Sequence, residues 1–237
     1  MCGRYGIYTP PDELGARFAA TSIDLEPTYN AAPRERLPVI RDDADDAITT
    51  ARWGLVPEWA DDDSTEFINA RAETLAEKPS FRDAYARSAE RDSVPSAGRC
   101  LVLADGFYEW VEEGDGRKQP YYVTRRDDEP FAMAGLWSRW TPTVEQTDLS
   151  AFGAGEPAAP DPVETFAIVT TEPNEVVEEL HHRMAAILPG ETEREWLADA
   201  EVPAPIDGDE LRAYPVSTRV NSPANDGPEL VEEVAHA

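Results

Sequence analysis

An α+β fold with a mostly antiparallel, barrel-like sheet and short flanking helices is what this sequence predicts. Three observations carry that expectation. Eight short stretches rich in β-branched and aromatic residues read as strands, against only four short helical patterns. The strands do not alternate with the helices as βαβ units would. Turn signals are frequent, with 21 prolines and 14 glycines in 237 residues, so each stretch stays short.

In chain order, PPDELGARFAA (10–20) predicts a helix, with Pro-Asp-Glu in its first turn. LPVIR (37–41) and ITTARW (48–53) predict strands, and FRDAYARSAER (81–91) an amphipathic helix. CLVLA (100–104), FYEWV (107–111), PYYVTR (120–125) and FAMAGLW (131–137) predict four more strands. Residues 141–164 are rich in Pro, Gly and Ala and read as a surface loop. TFAIVTT (165–171) is a strand. NEVVEELH (174–181) is a helix with Asn174 as its cap, and ETEREWLAD (191–199) is the last helix. YPVSTRV (214–220) is the last strand, and residues 223–237 are expected to form a loose acidic tail. Residues 1–222 suit a single catalytic domain, long enough to bury a sizeable core.

Composition narrows the function classes. No apolar run approaches the ~20 residues of a membrane span, and no basic stretch followed by an apolar one marks a signal peptide. No membrane partner is expected. Cys2 and Cys100 are the only cysteines, too few for a disulfide framework, so a reducing cytoplasm is the expected location. The cysteines and three histidines lack zinc spacing, and no metal or other cofactor is expected. The net charge is -27, Lys78 and Lys118 are the only lysines, and the acids are spread along the whole chain. That pattern reads as a hydrated surface suited to high salt, as in a halophile. It does not exclude a nucleic-acid partner, because the N-terminal half is the less negative and carries Arg4, Arg34, Arg36, Arg52 and Arg71.

The first ten residues, MCGRYGIYTP, place a thiol beside the amino terminus. Removal of Met1 exposes a 1,2-aminothiol whose amine titrates near ~8 and whose thiol near ~8.5. Such a group condenses with an aldehyde to a five-membered thiazolidine, or attacks an acyl carbon as an N-terminal nucleophile. Four other regions carry chemistry-bearing side chains: FINARAET with Asn69, Arg71 and Glu73; GFYEW with Glu109 among aromatics; ELHHRM with His181 and Arg183; and the turns YNAAP and RWGLVPEW with Pro33, Trp53 and Trp59. Each has a plain structural alternative. Asn69 suits a helix cap, Glu109 suits the solvent side of an alternating strand, and the histidines suit a helix C-terminus.

The ordered set MCGRYGIY, YNAAP, RWGLVPEW, NARAET, RCLVLADGFYEW, PYYV, AGLW, FAIVTTEPN and HHRM resembles the SRAP family, the SOS response-associated peptidases or abasic site processing proteins. The resemblance runs from Met1 to about Val220. It implies that Cys2, exposed by self-removal of Met1, captures the aldehyde of an abasic site in single-stranded DNA as a thiazolidine. It further implies that Asn69 holds the ring and sugar, that Glu109 serves Met1 removal and crosslink reversal, and that His181 assists sugar ring opening. Arg4, Arg71 and Arg183 match phosphate-contacting positions, with Pro33 and Trp53 at the DNA-facing rim. An open imine would also permit slow strand cleavage of lyase type, and replication-fork proteins are candidate recruiters. The chain departs from the pattern at Ala185, where the family has proline after H-x-R-M; a looser turn is expected there.

Two rivals remain at this level. One is a class II amidotransferase-like N-terminal nucleophile hydrolase, which also begins Met-Cys-Gly but takes an oxyanion hole from an Asn-Gly pair that this chain lacks. The other is a non-catalytic single-stranded DNA binder that stacks bases on Trp and tracks phosphates with Arg.

Overall fold

The computed structural model describes residues 2–86, 96–114, 116–142, 160–198 and 201–235. The chain enters as β1 (Tyr5–Ile7), turns into helix α1 (Pro11–Phe18) and returns as β2 (Thr28–Ala31). Pro11 opens α1, Asp12 and Glu13 face the positive end of its dipole, and Leu14 and Phe18, one turn apart, are its buried side. Strands β3 (Arg36–Arg41), β4 (Ala44–Trp53) and β5 (Asn69–Arg71) precede the short helix α2 (Arg82–Tyr85). Then come β6 (Ala97–Ala104), β7 (Gly106–Glu112), β8 (Lys118–Arg125), β9 (Phe131–Trp140) and β10 (Val163–Thr171). Helix α3 (Glu175–Glu178), β11 (Met184–Ala185), β12 (Ile187–Leu188), α4 (Glu193–Ala198) and β13 (Leu211–Pro215) complete the order.

Five strands close on themselves. β4, β3, β6 and β9 are antiparallel neighbours in that order, and β10 pairs with β9 on one edge and with β4, in parallel, on the other. Closure removes free sheet edges. Both faces of β6 and β9 are covered, with Leu101, Leu103, Ala134 and Leu136 buried on one and Cys100, Val102, Met133 and Trp137 on the other. That double burial explains why CLVLA and FAMAGLW are continuous apolar runs rather than alternating ones. A second, five-stranded antiparallel sheet runs β13-β8-β7-β1-β2. It carries its own aromatic layer of Tyr108 and Tyr122 over Val216, Val220 and Leu230. The predicted α+β architecture with a barrel-like sheet is therefore the one observed.

Several local expectations change. The predicted strand 214–220 stops at Pro215 and passes into a 3-10 turn, Thr218–Asn221, capped by the Ser217 hydroxyl. Helix is present over Arg82–Tyr85, and the rest of the predicted 81–91 helix beyond Ala86 lies outside the described residues, as do residues 143–159 of the predicted loop. Residues 223–235 are not a loose tail. Leu230 is fully buried, the Val234 N–H donates to Pro215 O at 2.9 Å, and Asp226 accepts from the Tyr29 N–H at 2.6 Å. Ala185 does not loosen its turn: it pairs with Thr170 across β11 and β10 and is fully buried. No described helix is long and apolar enough to cross a membrane.

Candidate active site

Two strands of the five-stranded sheet position a thiol and an acid. β1 and β7 pair antiparallel through Tyr5 with Phe107 and Gly6 with Gly106, and the Tyr108 N–H donates to Arg4 O at 3.0 Å. That register carries the residues before Arg4 alongside Glu109. The approach depends on glycine at 106, because the Tyr122 ring lies where a Cβ would stand. Just before β7, buried Asp105 accepts from the Tyr8 and Thr9 N–H groups (2.5 and 2.9 Å) and from the Thr9 hydroxyl, which ties the far end of β1 to the same strand.

Cys2 is fully buried, and its thiol lies 3.8 Å from the Arg4 carbonyl that accepts from it. Burial pushes its pKa well up, and the charge of Glu109 pushes it further the same way, so the sulfur carries its proton at neutral pH. Glu109 is only 3% exposed. Burial raises its pKa from the ordinary 4.5 to about 7. The solvent-facing alternative for Glu109 fails because β7 has no wet face here: Phe107 joins the main core and Tyr108 the second aromatic layer. A carboxyl poised near neutrality beside a nucleophile is the arrangement of a proton shuttle.

The barrel end supplies the rest. Past Ile168, β10 lies between β5 and β11: Ile168 pairs with Asn69, and Thr170 pairs with Arg71 on one edge and Ala185 on the other. Asn69 is thus the first residue of a strand and not a helix cap. Its Nδ2 donates to the Cys2 carbonyl at 2.9 Å, which joins the two sheets at the candidate nucleophile. Among the described residues its Oδ1 is buried with no hydrogen-bond partner. Arg183, just before β11, donates to both oxygens of Glu73 and to Thr170 O at 2.6 Å, and so clamps the NARAET and HHRM segments together.

His181 follows α3, whose Asn174 cap accepts from the Val177 N–H at 3.0 Å. Its Nδ1 lies 3.0 Å from the Arg183 backbone nitrogen and 3.1 Å from the Arg183 carbonyl oxygen. The neutral ring accepts from that N–H and keeps its proton on Nε2; the charged ring donates to that C=O. One backbone unit therefore serves both protonation states without side-chain movement. Burial depresses the His181 pKa, and the His182 ring stacked 4.3 Å away adds to the effect.

The family profile for SOS response associated peptidase (SRAP) matches residues 1–223. The chain belongs to the SRAP family. It is 36% identical over 247 residues to the abasic site processing protein YoqW of Bacillus subtilis (strain 168), covering 98% of this chain and 99% of that one. It is 33% identical over 244 residues to the abasic site processing protein HMCES of Gallus gallus, covering 86% of this chain and 66% of that one. A Bacteroides thetaiotaomicron protein of known crystal structure superposes with a TM-score of 0.78 at 27% identity, over 99% of this chain and 100% of that one.

Within this SRAP domain the remaining expected residues divide. Arg71 is exposed at the end of β5, and Pro33 is half-buried in the turn after β2. Trp53 is not at a rim: it is fully buried, so it cannot present a face to DNA. Arg4 is partly buried and its Nη1 donates to Asn30 Oδ1 (2.8 Å) and Val220 O (3.1 Å), so it anchors the fold as well as carrying charge. Asn30 lies within the YNAAP stretch. It is 2% exposed, and its Nδ2 donates to the carbonyls of Val220, Ser222 and Asn225. Trp59 is 57% exposed, the most exposed large apolar side chain described. Its place between turn-forming Pro57 and a run of aspartates was the available signal.

Proposed function

We propose that this protein captures abasic sites in single-stranded DNA through Cys2 after removal of Met1, as the names of its relatives YoqW and HMCES suggest. The observation that carries the reading is the Asn69 Nδ2 bond to the Cys2 carbonyl at 2.9 Å, made beside a buried acid poised at about pH 7. Release of Met1 is hydrolysis of the Met1–Cys2 amide, with Glu109 as the base at hand. In the capture step the charged His181 ring gives its Nε2 proton to the ring oxygen of the abasic sugar and keeps its Nδ1–H on the Arg183 carbonyl, while the anomeric hydroxyl passes its proton to water, which frees the C1′ aldehyde. The Cys2 amine adds to C1′, Glu109 takes the ammonium proton and returns it to the departing hydroxyl, and water leaves an imine. The thiol then adds across C=N: sulfur bonds C1′, its proton reaches nitrogen, and a thiazolidine closes with one water lost overall.

Burial keeps the resting Cys2 thiol neutral, so its proton must leave as sulfur bonds C1′, and Glu109 is the base at hand. Arg71 is the site guanidinium group best placed to meet a phosphate, Arg183 can do so only by leaving Glu73, and Trp59 offers a face for a base. Strand cleavage of lyase type is a side route from the imine, and replication-fork proteins remain candidate partners.

The decisive experiment incubates the protein with a uracil-glycosylase-treated oligonucleotide and looks for a denaturation-resistant shifted band. Wild type is expected to give the band; Cys2→Ser is expected to lose it entirely while keeping its affinity for undamaged single strand. A Cys2→Ser variant that still crosslinks refutes the chemistry. A wild-type protein that binds single strand but never crosslinks points instead to the non-catalytic binder.

A further inference from the structure

We infer that Trp53 is a positioning residue that sets where Asn69 stands relative to Cys2. The inference rests on the capture reading above and adds a residue to it. The Trp53 indole N–H donates to the Ile68 carbonyl at 2.9 Å, on the residue immediately before Asn69. The second lone pair of that carbonyl takes the Ile168 N–H at 3.1 Å, so the peptide entering Asn69 is held from two directions. The indole ring packs on Tyr5, 5.2 Å between centroids, and Tyr5 opens β1 three residues beyond Cys2. Its other side faces Phe166 at 6.4 Å with the rings nearly parallel, and Phe166 lies on β10, two residues before the register partner of Asn69. One rigid bicycle thus spans the strand that follows Cys2, the peptide that enters Asn69 and the strand that pairs with it.

The surroundings explain why such a spacer is needed. β5 is three residues long, too short to hold its own register through ladder bonds. Upstream, Phe67 and Leu55 exchange both backbone bonds at 2.9 Å, and the Arg34 guanidinium meets Glu66 at 2.8 Å. The Arg34 N–H donates to Trp53 O at 2.7 Å. These contacts fix the approach to Asn69 up to Phe67; the indole fixes the last peptide. A misplacement approaching 1 Å between reacting groups costs up to about a hundredfold in rate, so a spacer of this kind acts on turnover and leaves DNA affinity untouched.

The test uses single-turnover capture of an abasic oligonucleotide, together with equilibrium binding of undamaged single strand. Trp53→Phe keeps most of the packing and removes the N–H. It is expected to slow the maximal capture rate about tenfold and leave DNA affinity within about twofold. In an Asn69→Ala background the same change is expected to slow nothing further, because its effect passes through Asn69. Trp137→Phe is the control: that indole is equally buried and donates to Asp42 Oδ1 at 2.8 Å, so it loses comparable stability but keeps the rate. Should Trp53→Phe fail to fold, benzothienylalanine at position 53 keeps the ring shape and replaces N–H by sulfur.

Equal slowing in the Asn69→Ala background, or weakened DNA binding at unchanged rate, overturns the inference. A wild-type protein that does not crosslink overturns the capture reading instead. In that case the Asn69 side-chain NH2 resonances, identified by their loss in Asn69→Ala, still decide the positioning role. They are expected to shift in Trp53→Phe and not in Trp137→Phe, and resonances unmoved in both overturn it.

Discussion

On the five-stranded sheet, Cys2 has no exposed surface and Glu109 almost none; at the barrel end, Arg71 is exposed and His181 is half-buried. The two halves of one site thus sit in different solvents. Burial keeps the resting thiol protonated and holds the carboxyl near neutrality, so the acid can exchange protons with the amine and thiol beside it. Exposure keeps guanidinium groups hydrated, charged and reachable by a polyanion. One direct link between the halves is a side-chain amide, Asn69, bonded to the carbonyl of Cys2. Bulk acidity and local DNA recognition are compatible for the same reason, since Arg71 faces outward at the barrel end while Glu109 is enclosed.

The largest expected effect breaks the buried half. Glu109→Gln keeps the shape and removes the titration, and is expected to slow capture by about 10²–10⁴-fold. It also makes a stability claim with a definite sign. The folded pKa is about 7 against an ordinary 4.5, so the folded protein holds a proton that the unfolded chain has released. Stability from this group is fully present below pH 4.5 and is lost as pH rises through 7, by roughly 3 kcal/mol at most. Urea midpoints at pH 5 and pH 8 check it. Wild type is expected to lose more stability across that interval than Glu109→Gln. Equal losses would mean that the carboxyl is solvated and the contrast between the halves is false.

A smaller effect is expected where the C-terminal segment is fastened to the same sheet. Asn30→Ala leaves three carbonyls and the Arg4 guanidinium short of a partner, at a cost of about 2–4 kcal/mol. Asn30→Asp keeps an acceptor for Arg4 but loses the donors, and is expected to fall between Ala and wild type in thermal unfolding. If Ala and Asp unfold together, the Arg4 contact contributes nothing and only the strap carries the stabilisation. In either variant the capture rate is expected to fall less than in Glu109→Gln, because Asn30 touches neither the thiol nor the acid.

The barrel was legible because its strands are long and covered on both faces, so CLVLA, FAMAGLW and TFAIVTT declare themselves by composition alone. The elements that assemble the site were not. β1, β5 and β11 are two or three residues long and carry no periodicity; neighbours fix them. The NARAET motif singles out Asn69, yet nothing in it marks the strand that Asn69 opens. Trp53 ends a strand, and its sequence does not tell which side of the turn the ring takes. The last residues looked like a tail because acids dominate the count, whereas buried Leu230 and a few backbone bonds decide the docking. Glu109 was visible as a carboxyl among aromatics; that both faces of its strand are covered is a property of the second sheet.

The smallest effect sharpens the exposed half. Arg71 is exposed at the end of β5, whereas Arg183 is spent on Glu73 and the Thr170 carbonyl. A phosphate contact through Arg71 releases counterions from the strand. Arg71→Ala is therefore expected to reduce the slope of log affinity against log salt for single-stranded DNA by about 0.7. Arg183→Ala removes a charge already largely offset by a carboxylate, and is expected to change that slope less. Titrations at several KCl concentrations decide between them, with undamaged strand as ligand so that capture does not intervene. Equal changes in slope would show that DNA displaces Glu73 from Arg183, and the barrel end would then be a surface that rearranges on binding rather than a preformed one.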